Sequence, residues 1–144
     1  MIFMRIMGFD LGEATIGVAV SDALQLTAQG KTVIKRQSLE KDIEQVTKLI
    51  EDYQVSKLIV GLPKNMNGSL GQMADQIMDF IKSLEQEVDI PIETVDERLT
   101  SRMAEQTLLE ADVSRKKRKQ VIDKLAAVNI LQTYLDRQVN KNNN

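Results

Sequence analysis

The sequence contains no cysteine, so a disulfide framework, a thiol nucleophile and a thiolate metal site are all excluded. It contains no histidine either. That removes the usual general base, the usual zinc ligand and every Ser-His-Asp scheme. Chemistry must then rest on carboxylates, Lys, Arg, Tyr, hydroxyls or a bound ion, and a hard cation on oxygen ligands is the natural candidate. No run of 18 or more apolar residues occurs, which argues against a membrane span. The opening Met1-Ile2-Phe3-Met4-Arg5 lacks the charged start and long apolar core of a signal peptide, and with cysteine absent the cytoplasm is the simplest expected location. Aromatic residues make up only 3%, too few for a broad base-stacking platform.

What is present fits one soluble α/β domain. The chain has 144 residues, 42% hydrophobic and 28% charged, enough to bury a real core. Residues 1–138 are expected to form a single domain and 139–144 a flexible polar tail. Net charge is −2, but Arg115-Lys116-Lys117-Arg118-Lys119 is a run of five cations, and without it the rest of the chain carries −7. An acidic body with one basic segment suits local contact with a polyanion.

The first third reads as strands. Phe3 to Phe9 is mostly apolar and leads into Asp10. A turn at Gly12 to Thr15, with Gly12 able to take a positive φ, precedes a second strand at Ile16 to Val20. A third is expected around Thr32-Val33-Ile34, all three pairing as hairpins. The period then changes. Ser38 caps a helix whose stripe is Leu39, Ile43, Val46, Ile50 and Tyr53. Leu58-Ile59-Val60 reads as a buried strand, a helix carrying Met73, Ile77, Phe80, Ile81 and Leu84 follows, and Ile90 to Val95 is the fifth strand. Two further helices are expected, about Ser101 to Ala111 and about Gln120 to Arg137. Three meandering strands followed by two βα units give a mixed five-stranded sheet with helices on its faces. Right-handed crossovers place the fourth and fifth strands beside the first and parallel to it. The ends of strands one, four and five then open on one edge, where open α/β sheets bind ligands.

Three acids converge on that edge in this reading. Asp10 ends the first strand. Glu97 follows the fifth, in Asp96-Glu97-Arg98-Leu99-Thr100, where Asp96 competes for its role. Asp123 shares a helix face with Ala126, Ala127, Ile130 and Tyr134. An acid on a packing face needs a cation, because burying it unpaired is costly; Arg98 or Arg102 is the structural alternative to a metal ion. The small alanines suggest close approach of helix to sheet. Clustered carboxylates suit Mg²⁺ or Mn²⁺, and two such ions roughly 3.5–4 Å apart activate water and stabilise the leaving oxygen of a phosphodiester. Two segments are candidates for gripping phosphate: the strand-to-helix loop with Lys64 and Asn65, which lacks the ending of a P-loop, and the run Arg115, Lys116, Lys117, Arg118 and Lys119. Like charges crowded at a helix start repel one another, and a phosphate backbone relieves that strain.

Four motifs, in order along nearly the whole chain, resemble one bacterial family. They are Gly8-Phe9-Asp10-Leu11-Gly12 with Ile16 to Asp22; Val60-Gly61-Leu62-Pro63 with Asn67-Gly68-Ser69; Asp96 to Ser101; and Asp123-Lys124-Leu125-Ala126-Ala127 with Ile130-Leu131-Gln132. Together they are similar to the YqgF or RuvX-type family, known as Holliday junction resolvases or pre-16S rRNA nucleases. The resemblance implies a ribonuclease H-like fold, a catalytic and metal-binding triad of Asp10, Glu97 and Asp123, and a role in 5′-end maturation of 16S rRNA; Arg98 and Thr100, in the third motif, are further candidates for substrate contact. Members often carry a basic residue in the first turn, where this chain has Glu13-Ala14-Thr15.

The expected activity is therefore metal-dependent phosphodiester hydrolysis on an rRNA precursor, with branched DNA as the alternative substrate, ribosomal particles as a possible setting, no membrane, and a monomer or weak homodimer as the working form. Two rivals stand beside it. A phosphotransferase of the actin, hexokinase and Hsp70 type also opens with Asp-x-Gly after a strand, but needs two such domains closing over ATP. A non-catalytic rRNA-binding module would use the acids structurally.

Overall fold

A computed structural model describes residues 5–62, 71–96 and 115–142, and of these the side chains of 71–74, 96, 115–120 and 142 stand outside the description. In strand β1 (Arg5–Leu11) successive side chains enter two different cores. Met7, Phe9 and Leu11 join one, and Ile6 joins the other. The same alternation runs through β2 (Thr15–Ser21), where Ile16, Val18 and Val20 face the first core and Ala19 the second. A sheet buried on both faces is the result.

β1 pairs antiparallel with β2, and β2 with β3 (Ala28–Lys35). β4 (Val55–Leu62) lies parallel to β1, and β5 (Ile92–Asp96) parallel to β4. The order β3-β2-β1-β4-β5 is the one expected from the hairpins and right-handed crossovers.

Helices α1 (Leu39–Asp52) and α2 (Gly71–Glu87) cover the first face. Ser38 caps α1 by accepting a hydrogen bond from the Lys41 amide at 3.2 Å. Ile43, Val46 and Ile50 of α1 meet Ile77, Phe80, Ile81 and Leu84 of α2 in the larger core. There Phe80 stands edge-on to Phe9, ring centroids 6.4 Å apart. Leu39, placed on the stripe by spacing, overhangs the core at the first turn and is 39% exposed. Asp42 is fully buried instead.

The second face is covered by one 28-residue helix, α3 (Arg115–Asn142). It lies across β1, β2 and β3 with Ala127, Ile130, Leu131, Tyr134 and Leu135 buried against Ile6, Ala19 and Ile59. It begins five residues before the expected Gln120 and runs past Arg137 through most of the residues expected as a polar tail. Helix propagation costs far less than initiation, so a helix anchored at its centre extends over polar sequence at both ends. The helix expected at 101–111 lies outside the described residues. No helix among the described residues is long and apolar enough to cross a membrane.

Candidate active site

Asp10 sits one residue before the end of β1, where it pairs with Gly17 of β2. Alternation puts it on the face covered by α3, since Phe9 and Leu11 point into the opposite core. Gly17 is the reason α3 reaches this point. A β-carbon there would lie 2.8 Å from the carbonyl carbon of Asp123, closer still to its oxygen, and 3.5 Å from the Ala127 methyl. The backbone of Asp123 therefore rests on β2 directly beside Asp10. The small residues Ala126 and Ala127 are both fully buried at this approach. Two acids 113 positions apart in sequence are thus both brought against Gly17, one across the ladder and one through the helix backbone.

The Asp123 side chain is half-buried, and Thr15 Oγ1 donates to its Oδ2 at 2.7 Å. Thr15 ends a tight turn in which the Gly12 amide donates to the Thr15 carbonyl at 2.8 Å. Gly12 does not adopt the positive φ expected of it. The turn is shaped instead by its hydrogen bonds, and a side chain at Gly12 would press on the Thr15 carbonyl at 3.2 Å. Arg36 braces the turn from β3's end. Its guanidinium donates to the Gly12 carbonyl at 2.8 Å and pairs with Asp42 at 3.2 Å, while its amide donates to the Ala14 carbonyl at 2.9 Å. Asp42 also accepts from the Gln37 amide at 3.0 Å. Thr15, Arg36 and Asp42 went unnoticed in the sequence. Their partners lie across the sheet, so no local pattern marks them.

Of the other expected site residues, Lys64, Asn65, Glu97, Arg98 and Thr100 lie outside the described residues. Their positions in the chain follow the ends of β4 and β5, at Leu62 and Asp96, which pair with each other. Arg115, Lys116, Lys117, Arg118 and Lys119 form the first turns of α3, leading into Asp123. Among the described residues no group of three His, Cys, Asp or Glu side chains is gathered as a metal site. The donor set that is described, two aspartates at one edge with a hydroxyl on one of them, consists of hard oxygen ligands and fits Mg²⁺ or Mn²⁺.

Two other polar features lie away from this edge. Lys57 donates to the Tyr134 hydroxyl at 2.6 Å and to Glu93 at 2.9 Å. Burial pulls the Lys57 ammonium pKa down, but the Tyr134 and Glu93 partners outweigh it and the net shift is upward. A cavity of about 810 Å³ opens between α1 and α2 on the opposite face, lined in part by Glu40, Glu44, Glu51 and Glu87. Its negative lining is unsuited to a polyanion.

Comparison with known proteins gives a consistent picture. The family model described as "RuvX: Holliday junction resolvase" matches residues 4–137. A protein of Thermoanaerobacter pseudethanolicus is 56% identical over 139 residues, covering 96% of this chain and all of its own. One of Desulforamulus reducens is 53% identical over 133 residues, covering 92% of this chain and 97% of its own. Both bear the name "Putative pre-16S rRNA nuclease". Among solved structures, RuvC of T. thermophilus in complex with a Holliday junction substrate superposes with a TM-score of 0.60 at 14% identity, covering 94% of this chain and 96% of that one. Fowlpox virus resolvase, in complex with substrate Holliday junction DNA, gives 0.61 at 13% identity, covering 94% and 99%. At such identities the likeness is one of fold, the ribonuclease H-like arrangement.

Proposed function

This chain belongs to the RuvX Holliday junction resolvase family, and from that premise we propose that it is a metal-dependent nuclease that hydrolyses phosphodiester bonds in 5′-end maturation of pre-16S rRNA. The observation that carries the proposal is the placement of Asp10 and of the Asp123 backbone on either side of Gly17, on the face covered by α3. In this reading Asp10, Asp123 and Glu97 hold Mg²⁺ or Mn²⁺. A divalent ion held there supplies Lewis-acid stabilisation of the phosphodiester and a water of lowered pKa. The chain's own part is positional. Asp10 is fixed by the β1–β2 ladder and Asp123 by the seat on Gly17, and residues 115–119 precede Asp123 by one to two turns of the same helix, which supports assigning them to the phosphate backbone. Lys64, Asn65, Arg98 and Thr100 complete the grip on the phosphate backbone. The RNA substrate is favoured by relatives more than 50% identical that bear the rRNA nuclease name.

The test is cleavage by purified protein with Mg²⁺ or Mn²⁺, on an rRNA precursor and on a four-way DNA junction at matched salt. Wild type should shorten the precursor, and Asp10→Asn and Asp123→Asn should fold normally and cut neither. Full activity of either variant at saturating metal removes that residue from the mechanism. Paired nicking of junctions without shortening of the precursor makes DNA the substrate.

A further inference from the structure

We infer that Thr15 is the positioning residue for Asp123: its hydroxyl fixes the rotation of that carboxylate and leaves Oδ1, with the free lone pair of Oδ2, for a divalent cation. The inference rests on the metal-site reading of Asp123. An ionised carboxylate only accepts, so the single Thr15 proton must be the one shared across the 2.7 Å contact. That distance is the ordinary one for a well-formed O–H···O bond.

The donor is rigid for reasons visible in the fold. Thr15 is β-branched, which restricts its χ1. Its backbone pairs with Lys35 of β3, and its carbonyl is held by the Gly12 amide. The turn that carries it is clamped by Arg36, which is anchored to the buried carboxylate of Asp42. The acceptor is equally constrained, because the backbone of Asp123 is seated on Gly17. Both ends of the contact are thus set independently of each other.

The chemistry of the partner matters as much as its geometry. Among the described residues no Lys or Arg is paired with Asp123. A hydroxyl orients it and leaves its charge in place. Outer groups of this kind typically change metal affinity 10–100-fold when removed.

The experiment measures Mn²⁺ binding to the full chain without nucleic acid, by the electron paramagnetic resonance signal of free Mn²⁺ and by calorimetry. Thr15→Val removes the hydroxyl and keeps the shape; Thr15→Ser keeps the hydroxyl; Asp123→Asn is the reference for loss of the ligand. We expect Thr15→Val to weaken binding about 10-fold or more, Thr15→Ser to stay near wild type, and Asp123→Asn to bind weakest. Melting without metal checks folding, and Thr15→Ala replaces the valine variant if that one does not fold. Wild-type affinity in Thr15→Val, beside a clear loss in Asp123→Asn, overturns the role of Thr15 and leaves the metal site standing. Equal losses in the valine and serine variants also overturn it, because the hydroxyl would then not be the operative group. Unchanged binding in Asp123→Asn removes the metal-site reading and this inference with it.

Discussion

Replacing Gly17 with alanine should be the most damaging single-methyl change on the α3 face. In a strand, Gly→Ala ordinarily gains about 0.5–1 kcal/mol through the unfolded state. Here the added methyl meets main chain: the Asp123 carbonyl carbon at 2.8 Å, with the oxygen nearer. Backbone cannot rotate aside as a side chain can, so the helix must lift. Overpacking of this kind costs typically 1–3 kcal/mol, and the upper end applies, giving a net loss of about 2–3 kcal/mol. For a chain of this size that is a fall in Tm of roughly 10 °C. Two internal controls come from the same face. At Gly8 the nearest atom is the Leu131 Cβ at 2.8 Å, and at Gly30 it is the Lys124 Cγ at 2.5 Å, the stem of a flexible side chain. The order of damage should be Gly17, then Gly8, then Gly30. Thermal melts followed by circular dichroism give the ranking, and Mn²⁺ titration reports the displacement of Asp123. A Gly17→Ala variant melting within about 2 °C of wild type, or a Gly30→Ala variant as damaged as it, would refute the close-seating argument.

Arg36→Met should cost about 3 kcal/mol in urea denaturation, because among the described residues it leaves the buried Asp42 carboxylate the Gln37 amide and the start of α1 alone; adding Asp42→Asn should recover part of the loss, and a loss below about 1 kcal/mol would show that the pair braces little. Lys57→Met should cost about 0.5–1 kcal/mol at neutral pH, since Glu93 is half-exposed. The folded state holds the Lys57 proton more tightly than the unfolded chain, so this contribution is whole below the ordinary value of 10.5 and disappears as pH rises through the higher folded one. Urea midpoints of the two proteins should converge above that pH, and a gap that stays constant contradicts the assignment. Changing Lys116, Lys117 and Lys119 together to Gln should reduce the log–log salt slope of RNA binding by roughly 0.7–0.9 for each phosphate that is no longer neutralised. An unchanged slope would make the run a solvated surface only.

The strand order and the two-sided burial of the sheet were legible because period-2 and period-3.6 patterns are local properties of the chain. So was the close approach of α3, since Ala126 and Ala127 stand beside Asp123 on one helix face. What escaped the sequence was long-range polar pairing. Nothing near Thr15 names Asp123 as its acceptor, 108 positions on. No local pattern marks Asp42 for burial, yet it is fully buried, because Arg36 reaches it from the end of β3. Helix limits were the other weak point. The apolar stripe of α3 spans its centre, while its ends are polar residues carried along by hydrogen-bond propagation, to which hydropathy is blind.

The continuity of α3 also acts as a molecular ruler. Residues 115–119 and Asp123 belong to one unbroken helix, so their axial offset is fixed by its pitch at about 6–12 Å. Under the function proposed above, a nucleic-acid strand gripped by that run would reach Asp123 at a set distance from the point of grip, with no joint between the two to absorb error. On that proposal the choice of which bond is cut would be partly a matter of counting along a helix. Inserting one residue between Lys119 and Asp123 would advance the gauge by about 1.5 Å and swing the grip about 100° around the axis, displacing the point of cleavage while leaving the carboxylates where they are.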